Sequence, residues 1–150
     1  MFDITFLGAS GGPIEGSNCS LLIKPSYVDY NNLEDHSGDL VIIDGGLGVR
    51  RLAEIINNLD NSHNSHVLST FLYPDALTKE EATRAQLIEP FKSLSRDPYR
   101  NAWRILNQLT NYLITHPHLD HISGLAINTA GFTPGVAKVL HGSSYTIQAL

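Results

Sequence analysis

Residues 115–124 read Thr-His-Pro-His-Leu-Asp-His-Ile-Ser-Gly, so that three histidines and an aspartate fall within six residues. The apolar run NYLIT (111–115) enters this stretch as a strand, and HISGLAINTAG (121–131) leaves it as a helix. This junction belongs to an alternation of strands and helices along the chain, which gives a mixed α/β layer structure. Alternate side chains of an extended segment share a face, so His116 and His118 project together and can grip one metal ion. Asp120 and His121 follow where the chain turns helical, and are expected to point away from that pair and serve a second ion. Imidazole nitrogen and carboxylate oxygen without thiolate suit zinc, with manganese or iron as alternatives. The single cysteine, Cys19, allows no intrachain disulfide and no cysteine cage, and fits a reducing compartment. His36, His63 and His66 lie in polar loops and are expected to have no functional role.

The rest of the chain organises around this junction. DITFL (3–7), CSLLIKP (19–25) and DLVIIDGG (39–46) read as three strands of one antiparallel group. Leu52, Ile55, Ile56 and Leu59 recur at spacings of three and four, which predicts an amphipathic helix over 49–59. Residues 60–100 read as an insertion: a polar loop (60–66), a mostly helical stretch (77–94) and a break at SRDPYR (95–100). NAWRILNQL (101–109) resumes a helix with Trp103, Leu106 and Leu109 on one side. VAKVLHG (136–142) reads as a strand, and SSYTIQAL (143–150) as a helix start capped by Ser143 or Ser144.

The 150 residues, 42% hydrophobic, suit one domain. A formal charge of -5 argues against a general polyanion binder, so an anionic substrate needs a local positive centre. The N-terminus has no basic leader region, and no run approaches the roughly eighteen apolar residues of a membrane span, so the expected location is cytoplasmic. The glycines of GASGGP (8–13) serve either a tight turn or a close approach of backbone amides to substrate, with Gly11 and Gly12 the candidates for the latter. Asn18, Cys19 and Ser20 read first as a strand entry.

THPHLDHISG matches the H-x-H-x-D-H signature of the metallo-β-lactamase fold. The longer string HPHLDHISGLAINT, with FLGASGG, NCS and VIIDGG upstream, resembles the class II cyclic nucleotide phosphodiesterases, the fungal low-affinity cAMP type among them. The resemblance spans 2–59 and 101–150. It implies an α/β fold, the αββα sandwich, with His116 and His118 holding a first zinc and Asp120 and His121 a second. Later histidines and a bridging aspartate would complete both. Asp44 would accept a hydrogen bond that orients a ligand histidine, its other reading being a turn or cap aspartate. The implied activity is hydrolysis of a 3′,5′-cyclic nucleotide, cAMP or cGMP, to the 5′-monophosphate by hydroxide held between two zinc ions, with Asp120 placed to orient the nucleophile. The implied partner is a small-molecule cyclic nucleotide, with neither nucleic acid nor membrane.

This sequence departs from the family pattern after the cluster, where only His141 and no aspartate follow. His141 comes too early for the third ligand of the first zinc. Residues 1–150 are therefore expected to form the N-terminal part of one catalytic domain, inactive alone and exposing an apolar sheet face prone to self-association. Two alternatives stay open: another hydrolase of the same fold, such as a tRNA 3′-processing nuclease, a lactonase or a thioesterase, and a non-catalytic truncated fragment.

Overall fold

Alternating side chains set the first two strands. In Phe2–Gly8 (β1) and Ser20–Pro25 (β2), paired antiparallel, Ile4 faces Ile23 and Phe6 faces Leu21. Val41–Ile43 (β3) adds antiparallel to β2, completing the expected antiparallel group. Asn111–Leu113 (β4) and Val139–His141 (β5) then add in parallel, giving one sheet in the order β1-β2-β3-β4-β5. Parallel neighbours need crossovers. Helices α1 (Val49–Asp60) and α2 (Pro98–Gln108) lie in the first crossover, and α3 (Leu119–Asn128) in the second. A short α4 (Ser144–Ala149) follows β5. The computed structural model describes residues 1–9, 11, 18–60, 91, 94 and 97–150. Most of the expected 60–100 insertion, with its helix, lies outside the described residues.

The sheet is buried on one side. Leu22, Ile42 and Tyr112 are in register across β2, β3 and β4 and belong to the same core as Leu52, Ala53 and Ile56 of α1 and Ala102, Ile105 and Leu106 of α2. On the other side Phe2, Ile4, Phe6, Leu113 and Val139 keep 41% to 69% of their surface exposed. One apolar sheet face is thus left open by the described residues, as expected for half of a sandwich.

Several element ends differ from the expectation. α2 starts at Pro98, because Asp97 accepts from the Arg100 amide at 3.0 Å as N-cap and Pro98 brings a helix-ready φ with no amide to satisfy. Of SRDPYR, Asp97 is thus the cap and Pro98, Tyr99 and Arg100 the helix start, while residues 95–96 lie outside the described residues. Trp103 sits at the margin of the buried face, which is built from Asn101, Ala102, Ile105 and Leu106. The far end of α2 is held by Lys138, whose ammonium donates to the carbonyls of Leu106, Asn107 and Leu109 at 2.8, 2.9 and 2.6 Å. Ser143, not Ser144, caps α4 by accepting from the Thr146 amide. Among the described residues no helix is long and apolar enough to cross a membrane.

Candidate metal centre

The site forms where β3 and β4 end side by side. Ile43 is in register with Leu113, and the Asp44 amide donates to the Leu113 carbonyl at 2.8 Å. At Asp44 the chain turns with φ 58, the left-handed region that aspartate tolerates better than most residues. That turn aims the carboxylate, only 2% of the residue being exposed, across the strand ends. It accepts from the Thr115 amide at 2.8 Å, the Thr115 hydroxyl at 2.9 and 3.0 Å, and His121 Nδ1 at 2.7 Å. Ser20 fixes the backbone of the same turn: its hydroxyl donates to the Asp44 carbonyl at 2.9 Å and accepts from the Leu47 amide at 3.2 Å.

The first turn of α3 rests directly on this loop. The Gly45 amide donates to the His121 carbonyl at 2.6 Å, and the Leu125 amide donates to the Gly45 carbonyl at 2.7 Å. Gly45 therefore spans one i, i+4 step of the helix. A Cβ on Gly46 would strike the Asp120 carbonyl, and one on Gly124 would strike the Leu47 backbone, so both positions need glycine for close approach. Asn128, buried at the end of α3, accepts from the Val49 amide at the start of α1 and donates to the Leu47 carbonyl. Asn18 donates to the Ser123 hydroxyl at 3.2 Å.

Four side chains gather above Asp44. The ring centroids of His116 and His118 are 4.6 Å apart, and those of His116 and His121 are 3.9 Å apart. His121 Nε2 lies 3.4 Å from Asp120 Oδ2. His121 does not point away from the first pair, and Asp120 lies beside its Nε2. The helix begins at Leu119, two residues before the expected start, and the His121 amide donates to the His118 carbonyl at 2.9 Å, folding the helix start back over the strand end. Gly11 borders the same group, since a Cβ there would lie 3.4 Å from Asp120 Oδ2. Gly12, His63 and His66 lie outside the described residues. His141 Nε2 pairs with Asn111 Oδ1 at 3.1 Å, and His36 Nδ1 with Asp39 at 3.1 Å.

The donor set fits a divalent metal. With Nδ1 of His121 committed to Asp44, its Nε2 presents a lone pair. Two donors each about 2.1 Å from one ion at the tetrahedral angle stand about 3.4 Å apart, which is the separation of His121 Nε2 and Asp120 Oδ2. A second grouping, Cys19 with Asp44 and His121, has donor atoms within 4.8 Å of one another. Both Asp44 oxygens already accept hydrogen bonds there, so that grouping is a hydrogen-bonded support and not a cage. Burial, and then the charges of Asp44 and Asp120, push the Cys19 thiol above its ordinary pKa.

Comparison with known proteins identifies the family. The family model for class-II cAMP phosphodiesterases matches residues 43–150. A 3′,5′-cyclic-nucleotide phosphodiesterase of Candida albicans is 40% identical over 155 residues, covering 99% of this chain and 36% of the relative. The 3′,5′-cyclic-nucleotide phosphodiesterase 1 of Saccharomyces cerevisiae is 27% identical over 170 residues, covering 100% of this chain and 44% of the relative. The crystal structure of unliganded yeast PDE1 superposes with a TM-score of 0.61 at 25% identity, over 99% of this chain and 43% of that one. The chain thus spans well under half the length of these relatives. With 108 residues (43 through 150) matched by the family model and the fold shared with a solved relative, the chain belongs to the class-II cAMP phosphodiesterases.

Proposed function

We propose that residues 1–150 are the N-terminal part of one catalytic domain, interrupted by an insertion at about 60–100, that hydrolyses a 3′,5′-cyclic nucleotide to its 5′-monophosphate in the cytoplasm. His116 and His118 are assigned to one zinc ion, and Asp120 and His121 to a second. Two donors per ion leave positions for further protein groups and for substrate. The observation that carries this reading is the pair of donors on Asp120 and His121, 3.4 Å apart, with His121 turned by the buried Asp44. The family description favours cAMP as substrate, and the names of the relatives give the 3′,5′-cyclic-nucleotide class.

When bound, a pair of divalent ions supplies Lewis acidity at the phosphoryl oxygens and makes a nucleophile from water accessible at neutral pH. This chain's residues do the positioning. Asp44 keeps the His121 proton on Nδ1, and the Gly45 bonds to α3 hold the backbone of His121 against the end of β3. Asp120, in the first turn of α3, is placed to orient the attacking water toward phosphorus. Gly11, beside Asp120, is assigned to the rim, where a backbone without a side chain lets the phosphodiester approach, and Gly12 is kept as a substrate-binding candidate from the sequence alone. The positive charge needed by an anionic substrate comes from the metals, which reconciles that substrate with a chain of formal charge -5. The test is cAMP hydrolysis by the full-length protein, followed by release of 5′-AMP. His118→Ala is expected to abolish it, and a zinc-loaded protein inactive on every cyclic nucleotide would overturn the assignment.

A further inference from the structure

Thr115 stands between the buried carboxylate and the first histidine of the cluster. Its hydroxyl oxygen is 3.0 and 2.9 Å from Oδ1 and Oδ2 of Asp44, and 3.0 Å from His116 Nδ1. A threonine hydroxyl has one proton to give and lone pairs to receive another. The Asp44 carboxylate offers only lone pairs, so the hydroxyl proton belongs to it. Donation to His116 instead would leave oxygen lone pairs facing each other at 2.9 Å. The Thr115 oxygen is therefore an acceptor toward His116, and the group that donates to it is Nδ1–H. That places the His116 lone pair on Nε2.

We propose that Thr115 is a positioning residue of the metal centre, relaying Asp44 to His116, so that one buried carboxylate orients two ligand imidazoles: His121 directly and His116 through the threonine hydroxyl. The proposal rests on His116 and His121 being metal ligands, as assigned above. The backbone amide of Thr115 makes its own 2.8 Å bond to Asp44 Oδ1, so losing the hydroxyl leaves the chain path anchored. The hydroxyl's task is thereby separable from the backbone's.

The experiment uses the full-length protein as wild type, Thr115→Val and Thr115→Ser. Two-bond proton–nitrogen NMR of the metal-free protein reads each imidazole tautomer, and chelator competition reads zinc affinity. Wild type and Thr115→Ser are expected to hold His116 as the Nδ1–H tautomer. In Thr115→Val, His116 is expected to become a tautomer mixture while His121 is unchanged. Zinc affinity should fall about 10- to 100-fold in Thr115→Val and stay within about threefold in Thr115→Ser. The proposal is overturned by a wild-type His116 protonated on Nε2, by a valine variant with unchanged tautomer and affinity, or by a serine variant as weak as the valine one. Should the valine variant not fold, the wild-type and serine spectra still decide. A wild type with the expected tautomer that binds no zinc overturns the metal assignment, and the proposal with it; the tautomer distinguishes that result from failure of the relay.

Discussion

Replacing Asp44 by asparagine changes little in shape and much in hydrogen bonding. Asparagine tolerates the left-handed φ of 58 as well as aspartate does, so the turn itself has no new strain. The carboxylate accepts from the Thr115 amide, the Thr115 hydroxyl and His121 Nδ1. An amide keeps one acceptor oxygen. With that oxygen toward the Thr115 amide, the NH2 faces His121 Nδ1 at the former 2.7 Å contact, donor against donor. The clash is relieved only if His121 moves its proton to Nε2, which occupies the lone pair assigned to the metal. One charge-assisted hydrogen bond is lost, at about 1.5–3 kcal/mol. At about 1.4 kcal/mol per decade this corresponds to zinc binding roughly 10- to 150-fold weaker. Chelator competition on wild type and Asp44→Asn, with thermal unfolding of the metal-free proteins as a folding control, measures it. A folded Asp44→Asn that binds zinc within twofold of wild type refutes the role given to this carboxylate.

Gly46→Ala forces a Cβ against the Asp120 carbonyl; it should cost about 1–3 kcal/mol in urea unfolding and weaken zinc binding by displacing the first turn of α3. Lys138→Met leaves three carbonyls at the end of α2 without their ammonium, and should cost about 1–3 kcal/mol of stability while leaving zinc affinity unchanged, since Lys138 touches none of the four proposed ligands. Asp3 is held below its ordinary pKa of 3.8, first by the bond from Lys24 at 2.6 Å and then by Ser26. A depressed carboxyl pKa contributes stability that is present above 3.8 and lost as pH falls through the lower, folded value. Asp3→Asn should therefore unfold more easily than wild type at neutral pH, the difference vanishing in acid, as urea titrations across pH would record.

What could be read from the sequence was what is local. α1 followed from Leu52, Ile55 and Ile56 recurring at helical spacing, and all three are buried. The cluster of His116, His118, Asp120 and His121 was visible because its members are adjacent, and the resemblance supplied the contact of Asp44 with a histidine. The start of α2 was not legible, because Asp-Pro serves equally as a turn and as a cap with a first helical residue, and only the buried face of Ala102 and Ile105 decides between them. The supports of the site were hidden by distance along the chain. Thr115 meets Asp44 across 71 residues, and Asn18 meets Ser123 across 105. Ser20 and Asn18, read as a strand entry, are also what fix the Asp44 turn and the side of α3. The pair Gly45 and Gly46, read only as the end of the DLVIIDGG strand, meets α3: Gly45 bonds to two of its backbone groups and Gly46 lies against the Asp120 carbonyl.

Anomalous diffraction at the zinc edge from zinc-soaked crystals of the full-length protein tests the metal assignment most directly. The expected result is two peaks, one about 2.0–2.2 Å from donors of His116 and His118 and one at the same range from Asp120 and His121. A single peak between Cys19, Asp44 and His121, or none near the cluster, would contradict it.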